Sequence, residues 1–491
     1  MRLQILFLFS IVFQFTIAQD SFEVTERDND DQVITRGIQG EDGHYYFVGK
    51  IGTNPADNDA YILKVDAVGE VTTKRITDTA TNAYFSEISI LDSETFLLIG
   101  QIAQTNSMSY NKMWFATMNT DLEIMDEKEF ALPTDYYHSI TFYFTAKNED
   151  GSLIIAGTMR DSIHNDLCTV TINQTLDTIG TKFYVFPFEQ QPDDWFRIQN
   201  TDEFMMISGH IGLYSTSVQT LRFDAQLNIL SIHNMPRLLL GPGSVGQCYA
   251  NNKLLLASTL SDSTDKGDDY NVAVLKIDTA GQVYDQKYFG KVDTTEYTAH
   301  LRSVAYINDT TVYVGGCTVV FGAWYDPVPT YFELYLIDTS LNLLGYNQFG
   351  GDANYRMWGV FPTSDDGCVM FGTRYGEENG PNERDIYIKK VVRDEISIIT
   401  NITHVPDPPL IREAYPNPVS EIIHIPVKET TKPAILQLQI FDNSGRKIFE
   451  KQYAGSGNQL EVNVTTLKPG IYFYAVSNGL DFKTNGKFIK Q

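Results

Sequence analysis

Ten side chains combine a ring or long stem with a hydrogen-bonding tip at recurring places in this sequence. They are Tyr84, Tyr137, His138, Trp195, Arg197, Tyr297, His300, Arg302, Tyr355 and Trp358. Phe85, Tyr136, Phe196, Asp193, Asp194 and Arg356 accompany them. Aromatic faces next to directional donors and acceptors suit a glycan or a peptide, since the ring covers apolar surface while its neighbours fix orientation. A second reading competes: aromatics that recur in every repeat also cap the packing between repeats.

Other chemistry is thinner. Asp262, Asp265, Asp268 and Asp269 offer oxygens of the kind calcium prefers, but without the alternating spacing of a calcium loop, so a solvated hairpin tip is expected. Asp59, Asp166, Asp269 and Asp385 each stand directly before an apolar run, and that recurrence reads as turn chemistry. No Gly-x-Ser-x-Gly elbow and no His-Glu-x-x-His motif is present. No catalytic residue, metal or cofactor is therefore assigned. The four cysteines, Cys168, Cys248, Cys317 and Cys368, form no Cys-x-x-Cys pair, which argues against zinc. Buried free thiols are expected, with Cys317 and Cys368 the one pair considered for a disulfide. The formal net charge of −25 disfavours nucleic acid, which binds through Lys and Arg.

Repetition dictates the elements that must position these groups. A short apolar run ending in a small residue recurs seven times: Tyr45 to Gly49, Phe96 to Gly100, Leu153 to Gly157, Phe204 to Gly209, Leu254 to Ser258, Val312 to Gly315 and Cys368 to Gly372. A second run follows each at variable distance, such as Tyr61 to Asp66 or Phe332 to Asp338. The runs are rich in β-branched and aromatic residues and bounded by Gly, Asn and Asp, which is strand chemistry. Tight Gly turns such as Glu41-Asp42-Gly43 join a preceding strand to the first run. Each unit thus has four antiparallel strands, A to D from the axis outward. Four strands at this period, seven times over, predict an all-β, seven-bladed β-propeller across residues 19–402. The small residue closing strand B is expected to let neighbouring blades approach. Either Phe22 to Thr25 or Glu395 to Ile399 must supply the outer strand of the last blade, and the local segment 395–399 is favoured because it costs less loop closure. The recurring aromatics then fall in the loops from strand D into strand A, at one mouth of the axis.

The repeats resemble loosely related propeller repeats of exported bacterial proteins. Thr363 to Gly367 resembles the Asp-box of sialidase propellers, but it occurs once and lacks the following aromatic. The last eighty residues carry a sharper pattern. Tyr415-Pro416-Asn417-Pro418 opens it, a strand-turn-strand unit turns at Gly445, Pro469-Gly470-Ile471-Tyr472 follows, and Lys487 lies in the terminal strand. In that order these motifs resemble the type A C-terminal sorting domain of the type IX secretion system of Bacteroidetes, covering residues 413–491. The resemblance implies passage across the outer membrane with the secretion machinery as partner, surface anchoring or release, and removal of the domain on arrival. Its strands, Ile422 to Val427, Ile435 to Phe441, Leu460 to Val464, Ile471 to Val476 and Lys487 to Ile489, suit a small Ig-like β-sandwich. Residues 403–412 hold three prolines and form a stiff linker. Residues 1–18 have the charge, apolar core and Thr16-x-Ala18 ending of a signal peptide, too short to span a bilayer. Residues 410–491 hold ten Lys and Arg against seven Asp and Glu; with Arg2 alone charged in residues 1–18, residues 19–409 carry −29. The function expected is a non-catalytic glycan- or protein-binding propeller outside the cell. A polysaccharide hydrolase or lyase using the same mouth is the alternative, and a structural surface component is a third.

Overall fold

In the computed structural model, described residues run from 20 to 397 and from 414 to 491. They leave out 55, 77–80, 105–111, 132–139, 149, 161–164, 187–188, 199, 212–215, 235–244, 250–252, 262–269, 279, 281, 292–293, 321–322, 427–433, 444, 456–458 and 478–481. The signal-peptide and linker assignments and the acidic loop 262–269 lie outside the described residues.

The chain divides into two compact units, residues 1–399 and 400–491. The first holds seven antiparallel sheets in chain order. Six are four-stranded, as in Thr81–Ile90, Thr95–Gln104, Lys112–Asn119 and Ile124–Ala131. The sixth splits its inner strand into Glu296–Thr298 and Val304–Asn308. Each sheet is apolar on both faces of its middle strands, so no sheet can bury itself alone. Seven hydrophobic clusters meet that need, each built from two consecutive sheets. Tyr46 and Ile62 of the first sheet pack with Phe85 and Leu98 of the second. The series continues through all seven sheets and closes where Phe371 and Ile388 of the seventh meet Phe47 and Leu63 of the first. Inner strands also touch their neighbours right round the ring. The unit is a β-propeller.

Closure differs from the expectation. Phe22–Glu26 supplies the outer strand of blade 7, pairing antiparallel with Asp385–Val391 from Phe22 opposite Lys390 to Glu26 opposite Ile386. Residues 395–397 do not fill that place. Arg393–Glu395 makes a short 3-10 turn, Ile396 is buried between blades 6 and 7, and Ser397 hydrogen-bonds Tyr346 and Asn347 of blade 6. Short loop closure was outweighed because pairing an alternating strand along a full edge satisfies more backbone groups and buries Phe22 and Val24.

The inner strands carry a feature that the sequence did not announce. In blades 1, 2, 3, 4 and 7 the register slips by one residue, at Thr35, Ser86, Tyr143, Asp193 and Trp358. Blade 6 widens the same slip into the insertion 299–303, opposite Gly315. Each slip faces the small residue that closes strand B. In blade 4 that residue is Ser208, not Gly209 as the repeat alignment has it. A Cβ at Gly49 would lie 1.9 Å from the Val33 carbonyl, and one at Gly372 would lie 2.0 Å from that of Arg356. These small residues therefore make room for the bulge of their own blade. At Gly315 the neighbours are Met357 and Val360 of the next blade, as expected of a contact between blades.

The turns from strand C to strand D share one device. Asp66, Asn119, Asn173, Asp224 and Asp338 each accept two backbone N–H groups, from two and four residues on, at 2.8 to 3.0 Å. The residue three positions on takes positive φ: Gly69, then Leu122, Leu176, Leu227 and Leu341. All four leucines are buried in the clusters between blades. At the Asp365-Asp366-Gly367 turn, Asp366 rather than the glycine has positive φ.

The second unit is a sandwich of two antiparallel sheets. Ile422–Pro426 pairs with Gln459–Asn463, and the other sheet runs Lys447–Gly455, Ala434–Phe441, Gly470–Ser477 and Phe482–Lys490. Lys447–Gly455 is the strand that follows the Gly445 turn. Ile423, Leu438, Val462, Tyr474 and Phe488 share its single core. Cys168, Cys317 and Cys368 are buried free thiols. No helix among the described residues is long and apolar enough to cross a membrane.

Candidate functional site

The bulges of blades 1 and 2 bring two charged side chains together. Arg36 and Glu87, each just past its bulge, form an ion pair of 2.9 Å with side chains 1% and 2% exposed. Thr35 Oγ1 lies between the carbonyls of Val48 and Phe85, at 3.1 and 2.9 Å, and shares its one O–H between them, linking blade 1 to blade 2. A buried pair of this kind gives little net stability, but removing one partner strands the other.

Placement along the inner strand sorts the aromatic candidates. Tyr84 precedes its bulge by two residues, half-buried with Lys50 Nζ 5.9 Å from its ring. Trp195 and Arg197 follow theirs by two and four and so lie toward the opposite end of the propeller. Trp195 is 2% exposed, stacked on Phe204 at 5.3 Å and edge-on to Phe223 at 5.0 Å. Arg197 bonds the Thr201 carbonyl and pairs with Asp202 in the A–B turn. Both lie inside strand A of blade 4, Glu189–Arg197, and not in the loop before it, where the sequence pattern puts them. Tyr137 and His138 lie outside the described residues. Tyr355 is buried, its ring against Phe332 and Tyr387 and its hydroxyl donating to Asp352.

The structure does bring together His300 and Trp358. His300 lies in the blade 6 insertion, whose backbone bonds to blade 7: His300 N donates to the Met357 carbonyl at 3.0 Å and Leu301 N to that of Trp358 at 2.9 Å. The imidazole is 5.1 Å from Trp358 and 5.4 Å from Trp324. Burial, with the charges of Arg356 and Arg384 adding to it, pushes its pKa down to about 4, so the ring is neutral at pH 7. Arg302, one turn on, is exposed.

Trp324 and Tyr325 were not singled out by sequence. They stand on the B–C loop of blade 6, 38% and 36% exposed. Asn354 bonds the carbonyls of Ala323 and Asp326, and Arg356 Nη2 donates to that of Val320 at 2.9 Å, which pins the loop. The Arg356 guanidinium lies 4.9 Å from the Trp324 ring, and that of Arg384 lies 5.1 Å from Tyr325. Arg384 in turn grips Asp31 at 2.8 and 2.6 Å, linking blade 7 to blade 1. A Trp-Tyr pair in loops otherwise polar was the available signal. Two part-exposed rings backed by cations and a neutral imidazole can stack on a flat apolar face and donate hydrogen bonds at its edge. No cluster of three metal-ligating side chains occurs among the described residues.

In the second unit the motif residues hold its ends together. Tyr415 stacks on His424 at 5.1 Å and its hydroxyl donates to Gln459 at 2.7 Å. Asn417 Oδ1 accepts the Ile489 N–H at 2.9 Å, and Val419 exchanges backbone bonds with the last strand. Pro416 and Pro418 flank that asparagine. Gly445 takes φ 78 in the turn before Lys447. Pro469 and Gly470 lead into the strand where Tyr472 bonds the Lys468 carbonyl and stacks on Phe488, while Lys487 faces solvent.

Residues 413–491 match the model of the secretion system C-terminal sorting domain. This segment is therefore a sorting domain, and the chain is exported to the cell surface or secreted. No curated protein matches the chain. Among solved structures it is similar to a fungal alcohol oxidase of the AA5 family, at 11% identity and a TM-score of 0.44 over 96% of this chain and 100% of that one. It is similar to the β-propeller domain of the Trilobed protease from Pyrococcus furiosus, at 10% identity and 0.42 over 76% and 97%. An α-L-arabinofuranosidase from Fusarium graminearum follows at 10% and 0.39 over 77% and 98%.

Proposed function

We propose that the exported propeller is a non-catalytic binding module for an extracellular glycan or protein surface. Its contact face is the mouth between blades 6 and 7, built from Trp324, Tyr325, His300, Trp358 and Arg356. The observation that carries this reading is Trp324 and Tyr325: two large rings left more than a third exposed on a loop pinned to the inner strand of blade 7 by the side chains of Asn354 and Arg356. Exposed rings on a rigid support offer contact area at low entropic cost. Tyr297, stacked on Tyr270 at 5.9 Å, extends the apolar surface. The test is a glycan and surface-protein binding screen of the full chain beside its Trp324→Ala variant. Binding weakened about tenfold, with the melting temperature unchanged within about 2 °C, is the expected result for an interface ring. Release of new reducing ends from a bound polysaccharide would instead identify a hydrolase or lyase at the same mouth and overturn the non-catalytic reading.

A further inference from the structure

The mouth between blades 6 and 7 holds more positive charge than its own carboxylates neutralise. Arg356 is 5% exposed. Its Nη2 donates to the Val320 carbonyl at 2.9 Å and lies 3.3 Å from that of Ala323, with the Trp324 ring 4.9 Å from the guanidinium carbon. It forms no ion pair among the described residues. The titratable groups beside it are Cys317, Tyr297 and His300. Burial is the first cause that pushes the thiol up to about 11, the phenol up to about 12 and the imidazole down to about 4. All three are therefore uncharged at pH 7. A buried cation ordinarily has a counter-charge in reach. Arg356 has two carbonyls and a ring.

Two further cations share the mouth. Arg384, over the Tyr325 ring, takes both oxygens of Asp31 and so uses up that carboxylate. Lys50 stands on strand B of blade 1, opposite Val33, on the same side of the bulge as Tyr84. It is half-buried, and its ammonium pairs with no carboxylate among the described residues; the Tyr84 ring lies 5.9 Å away. Burial first, and then the charge of Arg384, hold this ammonium below the ordinary lysine range, which Asp31 offsets only in part. Asp326 follows Tyr325 on the loop, exposed, and forms no ion pair with any of the three. Three cations thus share one paired carboxylate, although residues 19–409 as a whole carry −29.

We propose that the ligand of this mouth is an acidic glycan, held through the carboxylate of a uronate sugar. The proposal rests on the mouth being the contact face and adds the chemistry of what it contacts. A carboxylate brings acceptor oxygens and no donor, and it supplies the counter-charge that Lys50 and Arg356 lack. The sugar ring that bears it offers a flat C–H face to Trp324 and Tyr325, both more than a third exposed. A neutral sugar would cover the rings and leave the cations unpaired. An acidic peptide would bring charge without a flat face for the rings. A nucleic acid brings a closely spaced run of phosphates, which the acidic surface beyond the mouth repels.

The test titrates the full chain by calorimetry at low salt with tetragalacturonate and tetraglucuronate. Their methyl esters, which keep the sugars and lose the charge, are run beside them. Saturable binding of at least one uronate is expected, with its ester weaker by about tenfold or more, as loss of a charge-assisted pair requires. Lys50→Gln should weaken that uronate by a similar factor at an unchanged melting temperature, since its ammonium has no carboxylate to lose. Arg356→Gln should weaken it too, and Lys50→Gln decides the matter where the arginine variant, robbed of its loop anchor, does not fold. No saturable uronate binding, an ester equal to its acid, tetraglutamate or tetrathymidylate bound as tightly, or full affinity in Lys50→Gln would overturn the proposal. A neutral glycan or a protein bound through Trp324 would overturn it too, while keeping the mouth as the contact face. Uronate binding indifferent to Trp324→Ala and Lys50→Gln alike would remove the mouth itself.

Discussion

Trp195 and Trp324 show how the surroundings of a residue set its job. Trp195 is sealed between Phe204 and Phe223 in the core shared by blades 3 and 4, whereas Trp324 keeps over a third of its surface in solvent. Trp195→Ala should therefore lower stability by the roughly 3–5 kcal/mol typical of deleting a buried aromatic. Denaturant unfolding reads this directly, and a cost below about 1 kcal/mol would mean that the site collapses or was never sealed. His300 gives a different signature. Its pKa of about 4 in the fold, against 6.5 in the open chain, means the unfolded chain takes up a proton that the folded chain refuses. Its contribution to stability is complete above about pH 6.5 and is lost as pH falls toward 4. Replacing it, as His300→Gln, should shrink the fall in melting temperature between pH 7 and pH 4.5. An identical fall in the variant would remove His300 from the acid response.

At the scale of the element, the turns after strand C place leucine where glycine is the ordinary choice. A left-handed leucine costs roughly 1–2 kcal/mol in backbone strain. It persists at Leu122, Leu176, Leu227 and Leu341 because each side chain plugs the rim of a core between blades. Leu341→Ala should cost about 2–5 kcal/mol through the cavity it leaves. Leu341→Gly loses the same side chain but relieves the strain at φ 64, so it should be no more destabilising than the alanine variant. Gly worse than Ala by the usual margin of about 0.5–1 kcal/mol would show that the strain is absent. These turns also mark what sequence could and could not tell. Strand chemistry, period and the count of seven were legible because Tyr45 to Gly49 and its six counterparts are short apolar runs, each closed by a small residue, that recur. The bulges at Thr35, Ser86 and Trp358 were not, because a one-residue slip leaves the apolar pattern of strand B untouched. The site suffered for it: Tyr84, Trp195 and Trp358 lie inside strand A and not in the loop before it, and Trp324 sits in a loop without any period.

At the scale of the molecule, the two units differ in composition as well as contact. Residues 19–409 carry −29 while residues 410–491 carry +3. The propeller closes upon itself, its first strand completing its last blade, so nothing in the ring waits on the sorting domain. The sorting domain has its own core, and its motif residues serve that core: Asn417 anchors the terminal strand and Tyr472 packs on Phe488. Each unit should then fold alone. Deleting residues 413–491 should leave a propeller whose melting transition matches that in the full chain, while in a type IX-competent host the truncated protein stays in the periplasm. Residues 413–491, placed behind a signal peptide and a reporter, should carry the reporter outside. The same logic covers the motif, because its side chains are structural: Asn417→Ala removes the bond to Ile489 and should lower the stability of the isolated sorting domain by about 1 kcal/mol, the net worth of such a bond. Mass spectrometry of the extracellular protein should find the chain ending between Pro406 and Glu413. Normal export of the truncated propeller would separate the sorting domain from the delivery that its sequence and fold assign to it.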